Sequence, residues 1–505
     1  MDDNNRVVER TGWAPLRHFA QRSVLGLIAV VAAGVGFGAL LLLVRYQWSP
    51  LEALDHSVAD RLNRLVAGDS LAVTILTAIS AAGGRGILVP LVVLVIVVLL
   101  IRRRPRLALY LAVTGAGALL LDPSLKTLVG RLRPVVADPI AHGQGNSFPS
   151  GHALGSTIVY GMLTLVVLSA VRARWRYPII AVMTVLIAAI GISRIALGVH
   201  FVSDVVAGWL LGLAWISVTA YAFRLWRRET GRPAPPAEAG LEPEAARDLA
   251  PAPVESAVLP HPWAKGAVIL VGWVLTSGLL YVIGYALTRW APGTWLGRFD
   301  DGVPRWLQTF RTPGLDNLSW LGSKAGDTHA ILAVSLLFCP IAVALWRQWR
   351  PVVFVVLTMV GEITLFLFTA AAVGRPRPAA VQLDGQMPTS SFPSGHIAAT
   401  LCLWTAIAIV TTARVRHWWR WIFVGLAVVM PVLVALSRMY RGEHHPTDVL
   451  GAALLAACWL SVLFWTVRPN ARPQTVSEAA ADAGASTGSS SALPAPRDHR
   501  VAGRP

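Results

Sequence analysis

The chain has 505 residues, of which 55% are hydrophobic and only 14% charged, with a mean hydropathy of +0.57. Soluble domains carry about 25% charged residues, so a water-soluble globule is excluded, and the apolar content equally excludes chain-wide disorder. The formal charge of +17, from 44 basic and 27 acidic residues, reads as the basic loops of an integral membrane protein. No nucleic-acid partner is expected, because the arginines are spread over many short loops.

Only three lysines occur, Lys126, Lys265 and Lys324, so a lysine within a motif is informative. The three cysteines, Cys339, Cys402 and Cys458, lie far apart inside apolar runs, with neither disulfide nor metal spacing.

A bilayer core of about 30 Å takes about 20 apolar residues per helix. Residues 1–23 read as a cytoplasmic segment, and the run that follows is long enough to span, so no cleavable signal is expected. Spans are predicted over Val24–Val44, Ile87–Ile101, Leu107–Leu125, Ala153–Val171, Pro178–Ile192 and Phe201–Phe223, which make a first unit over 24–226. Residues 227–262, rich in Pro, Ala and Glu, read as a flexible linker. The second unit, 263–467, has spans over Gly266–Leu287, Ala330–Trp346, Val352–Ala372, Ile397–Thr412, Trp421–Leu436 and Val449–Val467; the tail, 468–505, reads as disordered. The expected fold is all-α: a polytopic membrane protein of about twelve transmembrane helices in two six-helix units.

If the spans alternate, the arginine-rich loops at 102–106, 172–176, 347–350 and 414–420 share one side. That side is expected to be cytoplasmic, with both termini inside. The polar segments 126–152, 193–204, 374–396 and 437–448 then emerge on the opposite, outer side.

Those segments carry a pattern and its copy. The first half has Lys126, Arg133-Pro134, Pro149-Ser150-Gly151-His152, Ser193-Arg194, His200 and Asp204. The second has Arg377-Pro378, Pro393-Ser394-Gly395-His396, Ser437-Arg438, His444 and Asp448. The pairs 133 and 377, 152 and 396, 194 and 438, 200 and 444, and 204 and 448 all differ by 244. A constant register of this kind is an internal duplication.

The residue types suit a phosphate oxyanion. Arginine's planar fork binds phosphate bidentately, and Ser150 and Gly151 open an apolar helix whose N-terminus favours an anion. His200 and Asp204, four apart, share one helix face, so the carboxylate fixes the imidazole tautomer and stabilises its cation. His200 is thus a candidate nucleophile and His152 a candidate proton donor to the leaving group. A lone interfacial histidine or a snorkelling arginine carries no such message; the ordered, repeated set does.

This set resembles the signature of the type 2 phosphatidic acid phosphatase (PAP2) family, which shares its site with vanadium haloperoxidases. The resemblance covers both six-span units. It implies a membrane phosphatase that works without a cofactor or metal, through a phosphohistidine intermediate, on lipid phosphates or diphosphates at the outer face. By position, His200 is then the nucleophile, Asp204 its partner and His152 the general acid, with Lys126, Arg133, Arg194, Ser150 and Gly151 holding phosphoryl oxygens. In the second unit the matching positions are His444, Asp448 and His396, with Arg377, Arg438, Ser394 and Gly395.

The second copy departs from the pattern. The lysine position holds Ala370, and Phe366 replaces Asp122, so an Asp122–Lys126 pair is lost as a unit. A missing cation of this kind costs about 3 kcal/mol in the transition state, roughly 10²-fold in rate. Arg441, in a final motif more polar than the first copy's Ile195–Val199, is a candidate replacement charge. Glu362, opposite Ala118 in the repeat, reads as a site residue or as a partner for Arg375.

The leading expectation is a lipid or polyprenyl phosphate phosphatase with the bilayer as its setting. The alternatives are a phosphotransferase, a headgroup-binding or transport protein with a degenerate second site, and a haloperoxidase, which vanadate would activate instead of inhibit.

Overall fold

The computed structural model describes residues 14–136, 140, 145–229, 239–249, 259, 261–385 and 389–471. Among these the regular elements are all helices, and the chain divides into two compact units, Met1–Pro251 and Ala252–Pro505.

The first unit holds α1 (Ala14–Arg45), α2 (Ser49–Ala67), α3 (Ser70–Ala82), α4 (Arg85–Ile101), α5 (Pro105–Val129), α6 (Gly151–Leu168), α7 (Ala173–Ala196), α8 (Val202–Glu229) and the short α9 (Ala246–Leu249). The second holds α10 (Pro262–Arg289), α11 (Trp295–Gln308), α12 (Pro313–Ala325), α13 (Thr328–Trp346), α14 (Arg350–Val373), α15 (Gly395–Arg414), α16 (Arg420–Tyr440) and α17 (Pro446–Val467).

Among the described residues, ten helices are long and apolar enough to cross a bilayer, or up to twelve when two bent pairs each count as one span. Each predicted span falls on a helix, although the one expected to reach Val171 stops at Leu168. Helices α2, α3, α11 and α12 were not foreseen. With Glu52, Asp55, Asp60, Arg61 and Arg64 in its sequence, α2 is too charged to read as a span.

At the centre of the first unit, α6 packs against α4, α5, α7 and α8. Its first two turns are buried on every side, from Ala153 through Tyr160, as expected of a helix that is apolar around its whole circumference. In the second unit α15 holds the same position against α13, α14, α16 and α17. One contact recurs at the fixed register: the Trp215 indole N–H donates to the Thr114 carbonyl at 2.9 Å, and that of Trp459 to Thr358 at 3.1 Å.

Part of the stretch expected to be a flexible linker folds onto the first unit. Glu242 is buried and lies 3.8 Å from Arg104 and 3.5 Å from Arg227, and Asp248 also pairs with Arg104. The rest of that stretch, apart from residues 227–229, 259, 261 and 262, and the tail from 472 onward lie outside the described residues.

Candidate active site

In the first unit the site forms where the α5–α6 loop meets the start of α6 and the turn between α7 and α8. Ser150 caps α6, its hydroxyl accepting from the Ala153 N–H, while its own N–H donates to the Asp204 carbonyl at 3.0 Å. That bond ties the Pro-Ser-Gly-His segment to the His-Asp segment. Gly151 packs against Asp122 so closely that a Cβ there would lie 2.8 Å from Oδ1. The same carboxylate holds Lys126 Nζ at 2.9 Å and an Arg85 guanidinium nitrogen at 2.7 Å. The Asp122–Lys126 pair read from the sequence is therefore formed, beside the α6 N-terminus. His152, on the first turn of α6, lies against the Gly83-Gly84 break between α3 and α4.

His200 is buried, with a different partner at each ring nitrogen. Nε2 lies 3.3 Å from Arg133 Nη1, which also donates to the Val199 carbonyl at 2.8 Å. Nδ1 faces Asp204 Oδ2 at 3.4 Å and the Ser147 hydroxyl at 3.3 Å. Burial pulls the imidazole down to about 4, with Asp204 opposing the fall and Arg133 and Arg194 adding to it. Burial also lowers the Arg133 guanidinium. Arg194 donates to the Ser80 hydroxyl on α3 at 2.6 Å.

Asp204 is anchored by residues the sequence reading passed over. Arg131 donates to Asp204 Oδ1 at 2.8 Å, to Asp55 Oδ2 at 2.8 Å and to the Ser203 hydroxyl at 2.7 Å. Asp55 in turn accepts from the Ser203 backbone N–H at 2.9 Å, and Ser147 and the Phe201 N–H donate to Asp204 Oδ2. A buried carboxylate with this many donors is stabilised in its charged form.

The second unit rebuilds the same frame. Arg375 donates to Asp448 at 2.5 Å, Asp300 at 2.7 Å and Thr447 at 2.7 Å, and Asp300 accepts from the Thr447 N–H at 3.0 Å. Arg375 is thus committed to Asp300 and Asp448, so the pairing with Glu362 is not formed; Glu362 is buried within α14. The sequence signal for these anchors was Gly130-Arg131 recurring as Gly374-Arg375 at the common register of 244. Asp55 and Asp300 are 245 apart, one residue out of register, and so carried no such signal.

Around that frame the second site differs. Ser394 precedes α15 and donates its N–H to the Asp448 carbonyl at 3.3 Å, and Gly395 packs on the Phe366 ring, where the first unit has Asp122. His396 takes the place of His152 on the first turn of α15. His444 Nδ1 donates to the Ser391 carbonyl at 2.9 Å and stands 3.6 Å from Asp448, too far for a hydrogen bond. His445 lies closer to that carboxylate, at 3.2 Å. Burial pulls His444 down to about 4, against the influence of Asp448.

Arg441, the candidate replacement cation, is paired with Asp384 and donates to Ser319 at 3.1 Å. Asp384 also holds Arg438 at 2.7 Å. Burial would raise the Asp384 carboxyl, but Arg441 and Arg438 outweigh it and hold the group below the usual carboxylate range. Arg377 donates to the Glu443 carbonyl at 2.7 Å and to its carboxylate at 3.1 Å.

Two stretches, residues 106–228 and 350–472, match the sequence profile of the PAP2 superfamily. The chain is 33% identical over 144 residues to a phosphatidylglycerophosphatase B of Bacillus subtilis, which covers 28% of this chain and 69% of that protein. It is 30% identical over 110 residues to an undecaprenyl-diphosphatase of Sulfolobus acidocaldarius, over 22% of this chain and 49% of that protein. A solved structure, that of a transmembrane PAP2-type phosphatidylglycerolphosphate phosphatase from Bacillus subtilis, aligns at 24% identity with a TM-score of 0.36. The alignment covers 38% of this chain and 94% of that one.

Proposed function

This chain belongs to the PAP2 superfamily, and on that premise we propose that it is an integral membrane phosphatase that hydrolyses a phosphomonoester or diphosphate of a lipid or polyprenyl carrier. The observation that carries the reading is the environment of His200, with Arg133 at Nε2 and the anchored Asp204 at Nδ1. With its imidazole lowered to about 4, His200 is neutral at physiological pH and has a lone pair ready for attack.

Nε2 of His200 attacks phosphorus as the bond to the leaving oxygen breaks, giving a phosphohistidine. His152 gives its proton to the leaving group, then takes one from the water that cleaves the P–N bond and releases phosphate. Asp204 stabilises the imidazolium as it forms, and Arg133, Arg194, Lys126 and the Ser150 and Gly151 amides hold the phosphoryl oxygens. The reaction needs no metal. The site faces the outer side of the membrane, where the lipid tail stays in the bilayer and the headgroup meets the polar loops.

The test is phosphate release by the purified protein in detergent with EDTA, on phosphatidylglycerophosphate, phosphatidic acid and undecaprenyl diphosphate. Turnover is expected on at least one of them, and His200→Ala is expected to lower it on the order of 10⁶-fold, as loss of a covalent nucleophile does elsewhere. Full turnover by His200→Ala would remove His200 from this role. Phosphate appearing on an added acceptor alcohol, with none free, would make the protein a phosphotransferase.

A further inference from the structure

The second unit contains an acid that the first does not. Glu443 directly precedes His444, and the equivalent residue in the first unit is Val199; Asp384 likewise stands where the first unit has Ile140. Glu443 is fully buried, and one carboxylate oxygen, Oε2, lies 3.1 Å from Arg377 and 3.6 Å from Arg438. Those are the two arginines whose counterparts, Arg133 and Arg194, are assigned to the phosphoryl oxygens. A single anionic oxygen shared by two guanidinium groups, next to the histidine, is the arrangement a phosphoryl oxygen would adopt there. Its companion oxygen, Oε1, is buried as well.

We propose that Glu443 is a built-in anion that occupies the arginine clamp of the second unit in place of a phosphoryl group and so closes that site to phosphate esters. The inference rests on the reading of the paired arginines as a phosphoryl clamp. A phosphate entering beside Glu443 would bring like charges together in a buried setting, and the carboxylate has no water to retreat into. The other departures act in the same direction: Ala370 removes a cation, Phe366 fills the space of Asp122, and Asp384 takes a second nitrogen of Arg438. The second unit then keeps the fold and the anchored Asp448 while turnover falls to the first.

The experiment counts oxyanion sites on the full chain. Tungstate, an unreactive phosphate analogue, is titrated calorimetrically into the detergent-solubilised protein. The wild type is expected to bind one equivalent. Glu443→Gln, which keeps the volume, and Glu443→Val, which copies the first unit, are each expected to gain a second equivalent by raising affinity about tenfold or more at the freed clamp. Adding Arg438→Ala to either is expected to abolish the gain, and thermal unfolding identifies the variant that remains folded. Two equivalents in the wild type, or one in a folded Glu443 variant, overturns the proposal. No binding by any form, together with no phosphate release, overturns the phosphoryl-clamp reading and this inference with it.

Discussion

Arg131 touches no part of the histidine that does the proposed chemistry, yet it joins α2, the α5–α6 loop and α8 through Asp55, Asp204 and Ser203. Its role is positioning: it holds the Asp204 carboxylate ionised and aimed at His200. Arg131→Ala is expected to lower kcat by about 10²-fold, in the range found when a supporting partner of a site residue is removed, with partial recovery in Arg131→Lys. The pH profile separates this role from a loss of packing. His200 is reactive when neutral, so kcat/KM should fall as pH drops through about 4, where burial places its protonation. Without Arg131 to aim it, Asp204 supports the imidazolium less, so that limb should move to lower pH, in the same direction as in Asp204→Asn. An unshifted limb with a reduced rate would make Arg131 merely structural.

Among the helices, the outcome was decided by the small residues at crossings. The Trp459 ring lies where a side chain on Gly361 would stand, at 2.0 Å, and Trp215 stands in the same relation to Gly117 at 2.2 Å. Gly117 and Gly361, like the two tryptophans, are 244 apart, so the duplication preserved the seam between α5 and α8, and between α14 and α17, along with the motif. Trp459→Ala is expected to cost about 3–5 kcal/mol, and Gly361→Leu more, because the indole then has nowhere to dock. Both would appear as a lowered unfolding midpoint in detergent, and an unchanged midpoint would show that the seam contributes little. Helix α11 shows what pattern reading overlooked. Trp295, Phe299 and Trp306 are exposed on one side while Asp300 is buried against Arg375 and Thr447 on the other. Such an amphipathic helix suits the membrane interface, and it is too polar to register as a span.

Topology belongs to the assembly of both units. We propose that, if the two bent pairs each count as one of twelve spans, the arginine-rich loops share the cytoplasmic side with both termini and the sites open on the outer face. A green fluorescent protein fused at either end should fluoresce, and an alkaline phosphatase reporter inserted between Arg133 and Ser147 should be active; the reverse pattern would overturn the assignment. The membrane class, the duplication, the positions of the spans and the histidine, aspartate and arginine positions of both motifs were legible in the linear order of residues. Hydropathy acts over each contiguous span, and the two copies kept a strict register. The Arg131–Asp55 anchor, the seating of Arg441 on Asp384 and the placement of Glu443 between Arg377 and Arg438 were settled only by folding. Each joins side chains from segments separated by insertions or by whole helices, and which charge neutralises which depends on distances of a few ångströms that no spacing along the chain encodes.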